Sequence, residues 1–137
     1  MEQPLLPENI SLINEDGIVA SVEPIYLDNL ECGLKLWLYS EGGEGFSPQQ
    51  AQAFRQFVQL PKPLPAIYEK LNPYRPQREK LRFVALVVPS QTQTKKNIIY
   101  VLVDIQKRPI PLEMQLYFED GELISAEPLN GNYIFDH

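Results

Sequence analysis

Leu34, Leu36 and Leu38 alternate with Lys35, Trp37 and Tyr39, so residues 32–39 repeat with a period of two and are predicted to form a strand. One face of it is aliphatic. The other carries Trp37, Tyr39 and the Lys35 stem, and a strand that can be covered on both faces belongs inside a sheet. The period then changes. Residues 40–45 hold three glycines and two glutamates, which turn the backbone. Ser47 suits a helix N-cap, Pro48 the first helical position, and Gln50 stands where a capping box needs it. Ala51, Phe54, Phe57 and Val58 recur at helical spacing, predicting a helix from 47 to about 59. Pro61, Pro63 and Pro65 stop it. A second helix is predicted over 65–71, with Ile67, Tyr68 and Leu71 as its buried stripe and Pro73 ending it near Asn72.

Ahead of this stretch, Ile10, Leu12 and Asn14 alternate with Ser11, Ile13 and Glu15. Asp16-Gly17 then separates them from the β-type run 18–22, the signature of a tight hairpin. Pro24 cannot donate to a ladder, so 18–27 is an edge strand or bends there. Residues 1–9 read as a loose arm. From Leu81 onward the chain is β. Residues 81–88 and 97–105 are rich in Val, Ile and Leu, and the polar link between them is too short for a crossover helix, which predicts antiparallel pairing. In 112–118, Leu112, Met114, Leu116 and Phe118 face one way and Glu113, Gln115 and Tyr117 the other, as in a sheet with one wet face. Asp120-Gly121 is a second hairpin turn before 122–127, where Leu123, Ile124 and Ala126 are apolar. Asn130-Gly131 precedes Tyr133-Ile134-Phe135. The expected fold class is α+β: a mostly antiparallel, twisted sheet with two helices packed on one face, in the order β-hairpin, strand, two helices, β-meander.

The 137 residues fit a single domain, 1–137, large enough to bury its own core. One cysteine rules out an internal disulfide, and a cytoplasmic location is expected. The first residues lack the pattern of a signal peptide, and no run approaches the length of a membrane span. The net charge is −6 and the isoelectric point about 4.8. That balance predicts no nucleic-acid partner, and fits another protein, possibly basic, instead. Arg75, Arg78 and Lys80, with Glu79 among them, read as a solvated linker.

Catalytic chemistry finds few candidates. A strand, a glycine-rich turn and a helix invite a phosphate-loop reading, but no Lys-Ser/Thr follows the glycines, and Glu41 and Glu44 would repel a phosphate. His137 is the only histidine and the last residue, which removes histidine triads. Cys32 lies beside Glu31, a neighbour that disfavours a thiolate. No cofactor, metal or catalytic residue is expected. The expected function is non-catalytic protein binding. Its candidates are the amphipathic aromatics Trp37 and Tyr39, with Tyr100, Tyr117 and Tyr133 of the same type. Glu41, Glu44, Glu119, Asp120 and Glu122 would form an acidic rim if their loops share one end of the sheet. The alternative is a small cofactor-free hydrolase or transferase using carboxylates, which needs two of them across a cleft.

The tail Leu112-x-Met-x-Leu-x-Phe-Glu-Asp-Gly-Glu-Leu-Ile-x-Ala, followed by Asn130-Gly131, resembles the end of a family of small bacterial α+β domains of unknown function. Some members lie near toxin–immunity loci. The resemblance covers residues 23–137. It implies early strands, a helix after the third of them and a closing meander, with an immunity or regulatory role toward another bacterial protein. Where that family often carries a Trp and an acidic-His-Gly segment, this chain has Lys107-Arg108-Pro109-Ile110-Pro111, so no family site can be carried over onto it.

Overall fold

The strand over residues 32–39 lies inside an eight-stranded sheet, as its two-faced pattern predicts. The computed structural model describes residues 7–15, 18–39, 45–90 and 95–129. In chain order the elements are β1 (Leu12–Glu15), β2 (Ile18–Ser21), β3 (Ile25–Leu27), β4 (Cys32–Tyr39), α1 (Pro48–Val58), α2 (Pro63–Leu71), β5 (Leu81–Val88), β6 (Ile98–Ile105), β7 (Leu112–Glu119) and β8 (Glu122–Pro128). The sheet runs β1-β2-β4-β5-β6-β7-β8, and β3 also pairs with β4. The fold is α+β. Every described strand pair is antiparallel except β4 with β5, which run parallel. The two helices supply the crossover that a parallel pair requires.

Glu15 stands opposite Ile18, so β1 and β2 are joined by two residues. Those residues, Asp16 and Gly17, lie outside the described ones, as do Asn130-Gly131 and Tyr133 to Phe135. Pro24 does bend the chain. It splits the expected strand into β2 and β3, which pair with successive stretches of β4. The expected arm takes structure in its last three residues, Pro7–Asn9, a 3-10 turn with Pro7 buried. Glu8 there lies 3.8 Å from Arg55 of α1.

Alternation along the strands sends Leu34, Leu36, Leu38, Leu86, Val88, Val101, Val103, Met114, Leu116 and Phe118 to one face. There they meet Phe54, Phe57, Ile67 and Leu71 of the helices. Burial of each such side chain is worth about 2 kcal/mol. Phe57 and Phe118 meet edge to face at 5.1 Å.

The helix α2 begins two residues earlier than its pattern suggested, with Pro63 rather than Pro65 as its first residue. Its buried stripe is Pro63, Ile67 and Leu71, four residues apart each time. Tyr68, expected in that stripe, is 39% exposed. Adjacent helical residues point about 100° apart, and with Ile67 centred on the sheet Tyr68 turns to the edge of the stripe. Tyr68 instead lies under the Arg75 guanidinium, 5.1 Å away.

Phe57→Ala is expected to cost about 3–5 kcal/mol in urea unfolding. Tyr68→Ala should cost under about 1 kcal/mol. Equal losses would contradict the assignment of the two helix faces.

Candidate functional site on the helix-free sheet face

The same alternation that buries the leucines of β4 sends Lys35, Trp37 and Tyr39 to the face without helices. Register then decides what lies beside them. Ala20, Trp37, Val87, Tyr100, Tyr117 and Ser125 form one row across six strands. At about 4.8 Å per strand, Trp37 and Tyr117 are ~14 Å apart along it. A neighbouring row is Lys35, Ala85, Leu102, Gln115 and Glu127. Ile98, Glu119 and Glu122 make a third row on the other side, and Tyr39 lies at the corresponding level of β4.

Four of the predicted residues, Trp37, Tyr39, Glu119 and Glu122, therefore share a face. Asp120 sits in the β7–β8 turn beside it. Glu41 and Glu44 lie outside the described residues.

Glu127 joins this face although no sequence pattern placed it there. Counting by twos from Glu122 would put it on the helix side. A register shift opposite Tyr117 and Phe118 leaves Ile124 as an extra residue, 43% exposed, and restores Ser125 and Glu127 to the face of Glu122.

The centre of the face is apolar. Ala85, Val87, Tyr100, Leu102 and Leu129 form a buried cluster, with Trp37, Tyr39, Ile98 and Tyr117 packed against it. Trp37 is thus partly covered. Tyr100 and Tyr117 stack at 5.3 Å with 28° between their planes. The expectation of a wet face fails at Gln115, which is 3% exposed in the row between Leu102 and Glu127. Leu129, just beyond β8, packs on that cluster and donates its backbone N–H to the Glu113 carbonyl at 3.0 Å.

Carboxylates line the β7–β8 end. The Tyr117 hydroxyl donates to Glu119 Oε2 at 2.8 Å, and Lys96 Nζ pairs with Glu119 Oε1. Those bonds, that from Lys96 first, hold the Glu119 carboxyl below its ordinary range. Burial, then the bond to Glu119, pushes the Tyr117 phenol up to about 12. Burial followed by the nearby Glu127 charge also raises Tyr100.

Asp120 has a structural task. Its Oδ1 accepts from the Asn97 N–H at 2.8 Å, and its φ of 51° with Gly121 at 83° is what a two-residue hairpin demands. The side chains of Glu122 and Glu127 make no hydrogen bond or ion pair among the described residues.

The Cys32 thiol is pushed up, but by its own partial burial rather than by Glu31. Residues 40–44 of the glycine-rich turn lie outside the described residues. In the first turn of α1, the buried Gln50 amide lies among the carbonyls of Tyr39, Val88 and Pro89. No group of three or more His, Cys, Asp or Glu among the described residues could hold a metal. A cleft of about 520 Å³ lies elsewhere, between the β3–β4 turn and the start of α2. Its two carboxylates, Asp28 and Glu31, both come from that one turn.

The chain matches no family model, no curated protein and no solved structure.

A phenol whose pKa is higher folded than unfolded stabilises fully below the unfolded value, about 10, and loses that contribution as pH climbs through the folded value. Part of the stability should therefore disappear between pH ~10 and ~12, alongside a phenolate absorbance step near 12. Tyr117→Phe should lack both the step and that share of the loss. An unchanged alkaline profile would refute the partial burial of the Tyr117 phenol and its bond to Glu119.

Proposed function

We propose that this chain is a non-catalytic protein-binding domain, an immunity or regulatory partner of another bacterial protein, working in the cytoplasm through the helix-free sheet face. One observation carries the reading. Trp37, Tyr39 and Tyr117 are partly buried around one apolar cluster on a face that no helix among the described residues covers, with the carboxylates of Glu122 and Glu127 at its border. Aromatics already fixed by packing lose little freedom when a partner arrives, and Trp and Tyr dominate interface energetics. Free carboxylates on a chain of charge −6 steer a basic surface toward them. The resemblance of the tail to domains found near toxin genes points the same way.

The test begins with the product of the adjacent gene, purified with the full chain and titrated by calorimetry. Trp37→Ala should weaken binding by roughly 30-fold or more, as a hot-spot residue does. Its own stability should fall by only about 2 kcal/mol, because Trp37 is half covered. Glu122→Lys with Glu127→Lys should slow association and flatten its dependence on salt. A metabolic neighbour that does not bind, or a partner that binds Trp37→Ala at full strength, contradicts the proposal.

A further inference from the structure

The charge of this acidic chain is unevenly distributed. Residues 75–82 and 104–113 carry six cations and three carboxylates, whereas the rest of the chain carries six cations and fifteen carboxylates. The fold brings those two stretches together at the end of β5 and β6 remote from the β7–β8 turn. Leu81 pairs with Ile105, and the Gln106 N–H donates to the Lys80 carbonyl at 2.9 Å. One residue further out, Lys107 Nζ meets Glu79 Oε2 at 2.9 Å. Between the two loops lies a cleft of about 440 Å³, lined by Pro76, Gln77, Glu79, Gln106, Lys107 and Arg108.

Some of these charges are already matched. Glu79 is the one carboxylate in the cleft, and both its oxygens are taken, Oε1 by the Gln77 N–H at 2.6 Å and Oε2 by Lys107. Arg75 is committed to the Glu79 carbonyl, to Asn72 and to the Tyr68 ring. Arg82 faces Asp104 at 3.3 Å. Arg78, Lys80 and Arg108 remain, and their side chains make no hydrogen bond or ion pair among the described residues. Arg108 lines the cleft, and Arg78 follows one lining residue, Gln77, and precedes another, Glu79, in the chain. The lining side chains without a partner are thus a guanidinium and the amides of Gln77 and Gln106, all able to donate.

We propose that this cleft binds a phosphate group, held by Arg108 and Arg78, with Lys80 and the Gln77 and Gln106 amides as further donors. A guanidinium fork matches the spacing of phosphate oxygens, and a doubly charged anion is drawn to two stretches that hold six cations against three carboxylates. The volume suits an inorganic phosphate or a small phosphate monoester. The inference concerns the end of the sheet opposite the acidic turn and is independent of the proposed protein partner.

The full chain, isotope-labelled, is titrated with inorganic phosphate, with glycerol phosphate, and with sodium chloride at matched ionic strength, while backbone amide resonances are followed. Both phosphates are expected to give saturable shifts at residues 77–80 and 106–108, half complete below about 1 mM. The tighter of the two ligands identifies the source, a free phosphate or a phosphorylated small molecule. Arg108→Ala and Arg78→Gly should each weaken binding at least about tenfold. Arg78→Gly keeps the fold, because residue 78 has a φ of 56° that glycine adopts without strain. Arg82→Ala, outside the cleft, should change nothing. Shifts that do not saturate, equal shifts with chloride, or unaltered binding by Arg78→Gly and Arg108→Ala overturn the proposal.

Discussion

The parallel strands β4 and β5 end side by side at the point where the chain leaves the sheet for α1, and one side chain closes that junction. Gln50 is wholly buried there. Its Nε2 donates to the Tyr39 carbonyl at 2.7 Å and reaches those of Val88 and Pro89 at 3.2 and 3.3 Å. Its Oε1 accepts from the Ser47 N–H at 3.1 Å, while Ser47 Oγ accepts from the Gln50 N–H at 3.1 Å. One residue thus completes the capping box of α1 and supplies donors to carbonyls at the ends of two strands. A buried carbonyl left without a donor costs about 1–3 kcal/mol, so the junction depends on this amide.

The two faces of the sheet take their roles from that anchor. With its first turn fixed over the ends of β4 and β5, α1 lays Phe54 and Phe57 on the leucine face, and α2 adds Ile67 and Leu71. Both helices lie on one side because both belong to the single crossover. The opposite side is left to Trp37, Tyr39, Tyr100 and Tyr117, which fill it from the sheet itself. An aromatic face without a helix follows from putting the only long connection on the other side. The acidic border follows from the tight β7–β8 hairpin, which places Glu119 opposite Glu122.

Much of this was legible in the sequence. Period-two alternation, the Ser47-Pro48-Gln50 signature and the Asp120-Gly121 turn are local codes, and each specified its element. Their limits are equally physical. Propensity placed Gln50 in a cap but could not show that its amide would also reach β5, a contact 38 residues away along the chain. Alternation failed on β8, since one bulged residue, Ile124, reverses the parity of all that follow. Gln115 looked wet because a period of two says which face a side chain takes, not what covers that face. The basic cleft went unseen because its two walls, residues 76–79 and 106–108, come together only through the β5–β6 pairing.

Urea unfolding of Gln50→Glu beside Ser47→Ala tests most directly whether the Gln50 amide holds the parallel junction. Glutamate keeps the shape and the acceptor but loses the donors, setting a carboxylate against carbonyl oxygens in a buried site. The expected loss near neutral pH is about 3–5 kcal/mol, against about 1 kcal/mol for removing the cap hydroxyl alone in Ser47→Ala. It should shrink as pH falls, because burial raises the new carboxyl's pKa and the protonated form regains a donor. If Gln50→Glu instead loses no more than Ser47→Ala, with no dependence on pH, then Gln50 is only a helix cap and the junction is held by something else.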